Sequence, residues 1–254
     1  MNTLTILSRN VKWRFHNTFT IAITILQPML WLLLYGAVGK QTMRGAGIAN
    51  YTAFIIPGLI ILVSFGACSS GGMMNYLMKA DGSYYRVLIA PIRRSSIIIG
   101  QMLEAVICTL LEVGIMIITS FLLGVRIESG LLGLLLIIIL VSLTALFMSG
   151  LTYAFSLCLP NEVIYETVMN AIVLPVFFLS SALFPIDSMS GALAIIVKLN
   201  PFTHVINVIR RLVLYNDSIL KNVLDTFGVM SLLIILSALS FWLALHNLRR
   251  ESCI

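Results

Sequence analysis

Residues 78–96 read MKADGSYYRVLIAPIRRSS, and the reading of this stretch decides the fold. It sets Lys79, Arg86, Arg93 and Arg94 against a single acid, Asp81. Apolar runs flank it on both sides, residues 54–76 and 97–123, each long enough to cross a bilayer. Short loops rich in Lys and Arg stay on the cytoplasmic side, so this loop orients both neighbouring spans. Its interior also carries helix signals. Asp81 and Ser83 are capping residues, Tyr84 falls four residues before Leu88 and Tyr85 four before Ile89, and Pro91 is a stop. Two readings stand: a short helix that docks into a cytoplasmic partner, or a charged connector that only obeys the orientation rule.

Composition extends the membrane reading to the whole chain. Of 254 residues 59% are apolar and only 10% charged, which describes an all-α polytopic membrane protein. The net charge of +6 would suggest nucleic acid in a soluble protein. Here the basic residues gather at span ends, as the bilayer requires, and no nucleic-acid partner is expected. Cys68, Cys108, Cys158 and Cys253 are far apart, without a CxxC or a His/Cys cluster, so neither a disulfide framework nor a metal site is expected. The polar, basic first 17 positions do not read as a cleavable signal.

Taken in order, residues 1–17 predict an interfacial helix with Leu4, Leu7, Val11 and Phe15 on one stripe and Arg9 and Lys12 off it, while Ile6 and Trp13 spoil the opposite face. The first span, about 18–38, is broken near its middle by Gln27 and Pro28. Proline frees a carbonyl that must find a partner inside the bundle, so a kink facing protein or a cavity is expected there. Residues 40–50 form an outer loop. The second span opens at Tyr51 and contains the small residues Gly66, Ala67, Ser69, Ser70, Gly71 and Gly72, a face for close helix packing.

The third span, 97–123, holds Glu104 and Glu112. Ionisable groups at this depth mark functional or paired positions. Glu104 has Arg93, Arg94 or interfacial water within reach, whereas Glu112 has no partner on its own helix and is either a path-facing or a packing residue. Residues 125–130 turn outside, 131–159 return as the fourth span, 160–166 form a cytoplasmic loop, and 167–183, with Pro175, make the fifth. Residues 184–215 hold two helical patterns too short to span, an outer re-entrant or interfacial pair. The sixth span, 227–248, ends at Arg249 and Arg250, which leaves both termini in the cytoplasm of a multi-pass cell-membrane protein. Residues 1–254 form one transmembrane domain.

Enzyme chemistry finds no foothold. The sequence has no GxxxxGK[ST] phosphate loop, GxSxG or HExxH, and His16, His204 and His246 are scattered. No cofactor of its own is expected.

Three segments in order resemble the membrane subunit of ABC exporters of the ABC-2 permease family. The first is Tyr51-x-x-Phe54-x-x-Pro57-Gly58. The second is Asp81-Gly82-Ser83 followed by Leu88-Ile89-Ala90-Pro91-Ile92-Arg93-Arg94 and Gly100. The third is Phe178-Leu179-Ser180-Ser181-Ala182-Leu183-Phe184-Pro185, then Leu199-Asn200-Pro201-Phe202-Thr203 and Arg210. Many members carry a glutamate-rich run where this chain has Lys79-Ala80-Asp81.

The resemblance implies a six-helix half-transporter that works with a second membrane subunit, identical or homologous, and two cytoplasmic ATPase subunits that use ATP and Mg. The coupling helix then maps to residues 81–90, with Asp81, Gly82, Tyr84, Tyr85, Arg86, Leu88 and Ile89 as contacts. The outer re-entrant segment maps to Phe184, Pro185, Asn200 and Pro201. Glu112, Gln27, Pro28, Phe177 and Phe178 are the candidates for the transport path. The short loops lean toward a drug, antibiotic, small peptide or lipid as cargo, with a polysaccharide or lipopolysaccharide as the alternative. A scaffold or sensor that moves nothing is the reading from a different class.

Overall fold

The computed structural model describes residues 3–16, 18–42, 51–125, 128–183, 191–214 and 223–251, and every regular element among them is a helix. In chain order these are α1 Thr3–Arg14, α2 Thr18–Thr42, α3 Tyr51–Ala80, α4 Ser83–Ile89, α5 Arg94–Leu122, α6 Gly130–Cys158, α7 Glu162–Phe178, α8 Ala192–Leu199, α9 Pro201–Leu214 and α10 Val223–Glu251.

Length decides which of these can span. Helix α3 has 30 residues and α5, α6 and α10 have 29 each. At 1.5 Å per residue they run to roughly 44 Å, more than the ~30 Å hydrocarbon core, so their ends project beyond it. Among the described residues these four are long and apolar enough to cross, or five if the bent pair α8–α9 counts as one. Helix α2 adds a shorter apolar stretch, Ala22–Ala37, and α7 has 17 residues.

The boundaries of α7 differ from expectation. The expected loop at 160–166 is already helical from Glu162, because the Asn161 side chain accepts the Ile164 amide at 2.9 Å and caps the first turn. The helix stops at Phe178, five residues before the expected end of the span.

Small residues set the helix spacing. A Cβ added to Gly72 would lie 2.9 Å from the Thr152 carbonyl oxygen of α6 and within overlap distance of the Tyr165 hydroxyl of α7. One on Gly58 would meet Ala182 Cβ at 2.7 Å, and one on Gly150 would overlap Ser240 of α10. Backbones approach at these points because no side chain intervenes; of the small-residue face expected in the second span, Gly72 makes such an approach, whereas a Cβ on Gly66 would meet nothing within 4 Å.

The apolar interior forms two clusters. The larger joins α3, α5, α6 and α9. The smaller gathers Ile6 of α1, Met74 and Met78 of α3, Tyr84 and Val87 of α4, Ile98 of α5, Tyr153 of α6 and Leu248 of α10. Helices α1 and α4 and the C-terminal ends of α3, α6 and α10 therefore share one end of the bundle.

The opposite end is closed by α9. Asn200 holds the corner between α8 and α9, which bend by 78°. Its amide nitrogen donates to the carbonyls of Val176 (2.8 Å) and Leu179 (2.9 Å), while its oxygen accepts the Phe202 amide at 3.0 Å. Pro201, with no N–H to satisfy, opens α9. Two short helices thus stand where two short helical patterns are expected, and Phe184 and Pro185 lie outside the described residues. So do residues 43–50 of the expected outer loop and Cys253.

Candidate functional site

The coupling-like loop forms a short helix, as its spacing predicts. Gly82 takes a left-handed φ of 73° before the first turn, a conformation only glycine adopts freely. Asp81 Oδ1 accepts the Ser83 amide at 2.8 Å. Hydrogen bonds from the Ser83 hydroxyl and amide hold the Asp81 carboxyl below its usual range, so it stays ionised at neutral pH.

The expected docking face divides. Tyr84 is 3% exposed and packs inward with Val87, and Leu88 packs partly against the same cluster. Lys79 Nζ sits 5.1 Å from the Tyr84 ring centroid. Tyr85 is 56% and Ile89 84% exposed, with Asp81 and Arg86 beside them. The four-residue spacing of Tyr84/Leu88 and Tyr85/Ile89 marks two faces of α4. One anchors the helix to the bundle, and the other points away from it.

Behind α4 lies a polar seam that joins α1 to α3 and α5, the two helices on either side of the loop. Asn10 Nδ2 donates to Gln101 Oε1 at 3.0 Å, and Gln101 Nε2 donates to the Gly71 carbonyl at 2.8 Å. Arg14 Nη1 lies 2.9 Å from Glu104 Oε1, and its Nη2 donates to the Ala67 carbonyl at 3.3 Å and to Ser70 Oγ. Glu104 is completely buried, and a Cβ on Gly100 would lie 2.8 Å from Ile6 Cγ2, so α1 rests directly on α5.

Two expectations are corrected here. Glu104 pairs with Arg14, not Arg93 or Arg94. The buried stripe of α1 is Ile6 and Asn10 continued by Arg14, while Leu4 is exposed. Asn10, Arg14 and Gln101 were missed by the sequence reading, although their four-residue spacing with Ile6 puts Asn10 and Arg14 on one face.

A groove of about 1010 Å³ opens beside the seam, between α1 and α2 on one side and α3 and α5 on the other. Gln27 of α2 and Glu112 of α5 both line it, so two of the expected path residues come together. The others do not. Pro28 is buried next to Gln27 but outside the lining. Phe177 is buried in the larger cluster and Phe178 is exposed on α7, their rings 5.6 Å apart.

At the opposite end, the first and third resemblance segments touch. Arg210 of α9 donates from Nε to the Phe54 carbonyl (3.1 Å) and from Nη2 to the carbonyls of Ser181 (2.5 Å) and Ala182 (3.3 Å). Its guanidinium lies 3.7 Å from the Phe54 ring centroid. The Tyr51 hydroxyl meets the Leu183 carbonyl at 3.5 Å, and Gly58 makes the room that Ala182 fills. These segments form one knot between the head of α3, the end of α7 and α9.

Comparison with known proteins places the chain. The profile described as ABC-2 type transporter matches residues 1–214. The putative transport permease ycf38 of Cyanophora paradoxa is 28% identical over 194 residues, which cover 75% of this chain and 67% of that protein. Its counterpart in Porphyra purpurea is 29% identical over 194 residues, 75% of this chain and 66% of the relative. The chain thus spans about two thirds of the length of these relatives. Nodulation protein J of Rhizobium leguminosarum bv. trifolii is 23% identical over 256 residues, 99% of this chain and 94% of that protein. The match over most of the chain, on an all-helical membrane architecture, makes this protein a member of the ABC-2 type transporter family.

Proposed function

We propose that this chain is the membrane subunit of an ATP-driven exporter, worked by separate cytoplasmic ATPase subunits that dock on α4. Family membership supports a transport role. The observation that carries the finer reading is the divided surface of α4. Its inner face ties it to α1, α3 and α5, and its outer face presents Tyr85, Ile89, Arg86 and Asp81 to a partner. A chain without a nucleotide-binding motif must receive work through a contact that differs between two states. Helix α4, seated between α3 and α5 and backed by the α1 seam, can pass displacement to both.

In this reading α4 and both termini face the cytoplasm, because Lys79, Arg86, Arg93, Arg94, Arg249 and Arg250 gather at that end. Helices α2, α3, α5, α6, α7 and α10 are the six spans, and α8–α9 re-enter from outside. The complex pairs two membrane subunits with two ATPase subunits. The cargo is a small amphipathic molecule, a drug, antibiotic, peptide or lipid. The groove that holds Gln27 and Glu112 supports this size class, and polysaccharide export is the alternative. Co-purification of an ATPase whose turnover depends on this subunit tests the reading. An ATPase that neither binds the chain nor responds to it returns the protein to the scaffold class.

A further inference from the structure

Two polar networks approach each other behind α4. On the α1 side, Arg9 donates to Asn10 Oδ1 at 3.0 Å, Asn10 donates to Gln101, and Gln101 donates to the Gly71 carbonyl of α3. On the α6 side, Asn75 of α3 donates from Nδ2 to Ser156 Oγ at 2.6 Å, and the Ser156 hydroxyl donates to the Tyr153 carbonyl at 2.8 Å. Asn75 is completely buried, and its Oδ1 has no hydrogen-bond partner among the described residues. A buried amide oxygen without a donor is costly, and such groups are normally matched by protein or by ordered water.

A cavity of about 10 Å³ lies between the two networks. Arg9, Asn10, Asn75, Gln101 and Tyr153 supply its polar lining, and Tyr84 of α4 borders it on its inner face. This is about the space of one water and too little for two.

The chemistry narrows the occupant further. It must donate to the Asn75 oxygen, which an inorganic anion cannot do. A metal cation would sit against the Arg9 guanidinium, with no carboxylate in the lining among the described residues. An apolar group would leave the amides unmatched. Asn10 Nδ2 and Gln101 Nε2 each spend one of two hydrogens on the bonds above, so each has a second to offer.

We infer that one ordered water occupies this cavity, donating to Asn75 Oδ1 and accepting from the amide nitrogens of the Asn10–Gln101 pair. It ties the α1–α5 seam to the α3–α6 contact directly behind the inner face of α4. A bridging water is nearly as favourable as a direct hydrogen bond, so the two networks hold together as one. The site does not depend on the exporter reading.

The test is X-ray radiolytic footprinting of the full chain in nanodiscs, with and without a soluble radical scavenger. Hydroxyl radicals formed from a bound water oxidise the side chains beside it, and a scavenger in bulk solvent does not intercept them. Tyr84 and Tyr153, 3% and 1% exposed, should be oxidised several-fold more than Tyr165, which is as deeply buried but donates directly to the Ser69 carbonyl. The scavenger should leave that difference in place. Asn75→Leu, which keeps the branching of the amide and removes its acceptor, should bring both tyrosines down to the Tyr165 level in protein that elutes unchanged. Oxidation of Tyr84 and Tyr153 no greater than that of Tyr165 overturns the inference. So does a signal that the scavenger abolishes, because bulk solvent would then be its source, or one that survives N75L. Should N75L fail to assemble, the comparison within the parent protein decides the matter alone. No ATPase enters the experiment, so failure here is distinct from failure of the exporter reading.

Discussion

Replacing Arg14 with Met removes the cation that faces a carboxylate with no exposed surface. Glu104 Oε1 would keep only the Cys108 thiol at 3.4 Å, and Oε2 has no hydrogen-bond partner among the described residues. Breaking a buried pair by removing one partner typically costs about 3–5 kcal/mol, because the remaining charge is left uncompensated. The reverse change, E104Q, is milder. Arg14 keeps the Ala67 carbonyl and Ser70 hydroxyl as acceptors and its side chain is 11% exposed at the groove, so a loss of about 1–2 kcal/mol is expected. The double variant R14M/E104Q leaves no orphaned charge and should cost less than the sum of the singles by roughly 2 kcal/mol.

Denaturation of the purified protein measures these differences, and trypsin reports whether α1 has lifted. Arg9 and Lys12 are cleavage sites that should open early in R14M and stay protected in the double variant. An R14M protein as stable and as trypsin-resistant as the parent would refute the reasoning. So would strictly additive single variants.

Gly72→Ala should destabilise by about 1–3 kcal/mol despite the better helix propensity of alanine, because the new methyl overlaps the Tyr165 hydroxyl and presses on the Thr152 carbonyl; the denaturation midpoint checks it. Tyr84→Ala should cost about 3–5 kcal/mol of stability, whereas the Tyr85→Ala/Ile89→Ala pair should leave stability nearly unchanged and abolish stimulation of the ATPase. Comparing the melting and ATPase turnover of the two proteins separates the faces of α4. Glu112→Gln should leave assembly intact and change transport rate or cargo range; an unchanged transport profile in a well-expressed variant would make Glu112 a packing residue.

Much of the fold was legible because its signals are local. The apolar runs of α3, α5, α6 and α10 announce themselves by length, and residues 81–91 carry spacing and stop within a dozen positions, although the N-cap is Gly82, with Asp81 accepting the Ser83 amide from one residue before it and Ser83 opening the helix. Asn200-Pro201 likewise marks the corner of the α8–α9 pair. The seam was not legible for a physical reason. Asn10 and Arg14 meet Gln101 and Glu104 at sequence separations of 91 and 90 residues, and a polar or charged residue on a short helix reads as solvent-facing until its partner is known. For Glu104, nearness in sequence offers Arg93, Arg94 or interfacial water, but α1 brings Arg14 to it instead. The faces of α4 were similarly hidden, since spacing puts Tyr84 with Leu88 and Tyr85 with Ile89 without saying which pair the bundle takes. The groove is tertiary throughout, built by four helices on which Gln27 and Glu112 lie 85 positions apart.

The central claim, that α4 is the surface through which an ATPase drives this chain, is tested most directly by site-specific photocrosslinking. A benzoylphenylalanine placed at position 85 or 89 in cells should capture an ABC ATPase, and one at position 84 should capture only segments of this chain, because Tyr84 is buried against Val87 and the end of α3. No ATPase captured from 85 or 89, or equal capture from 84, would contradict the account.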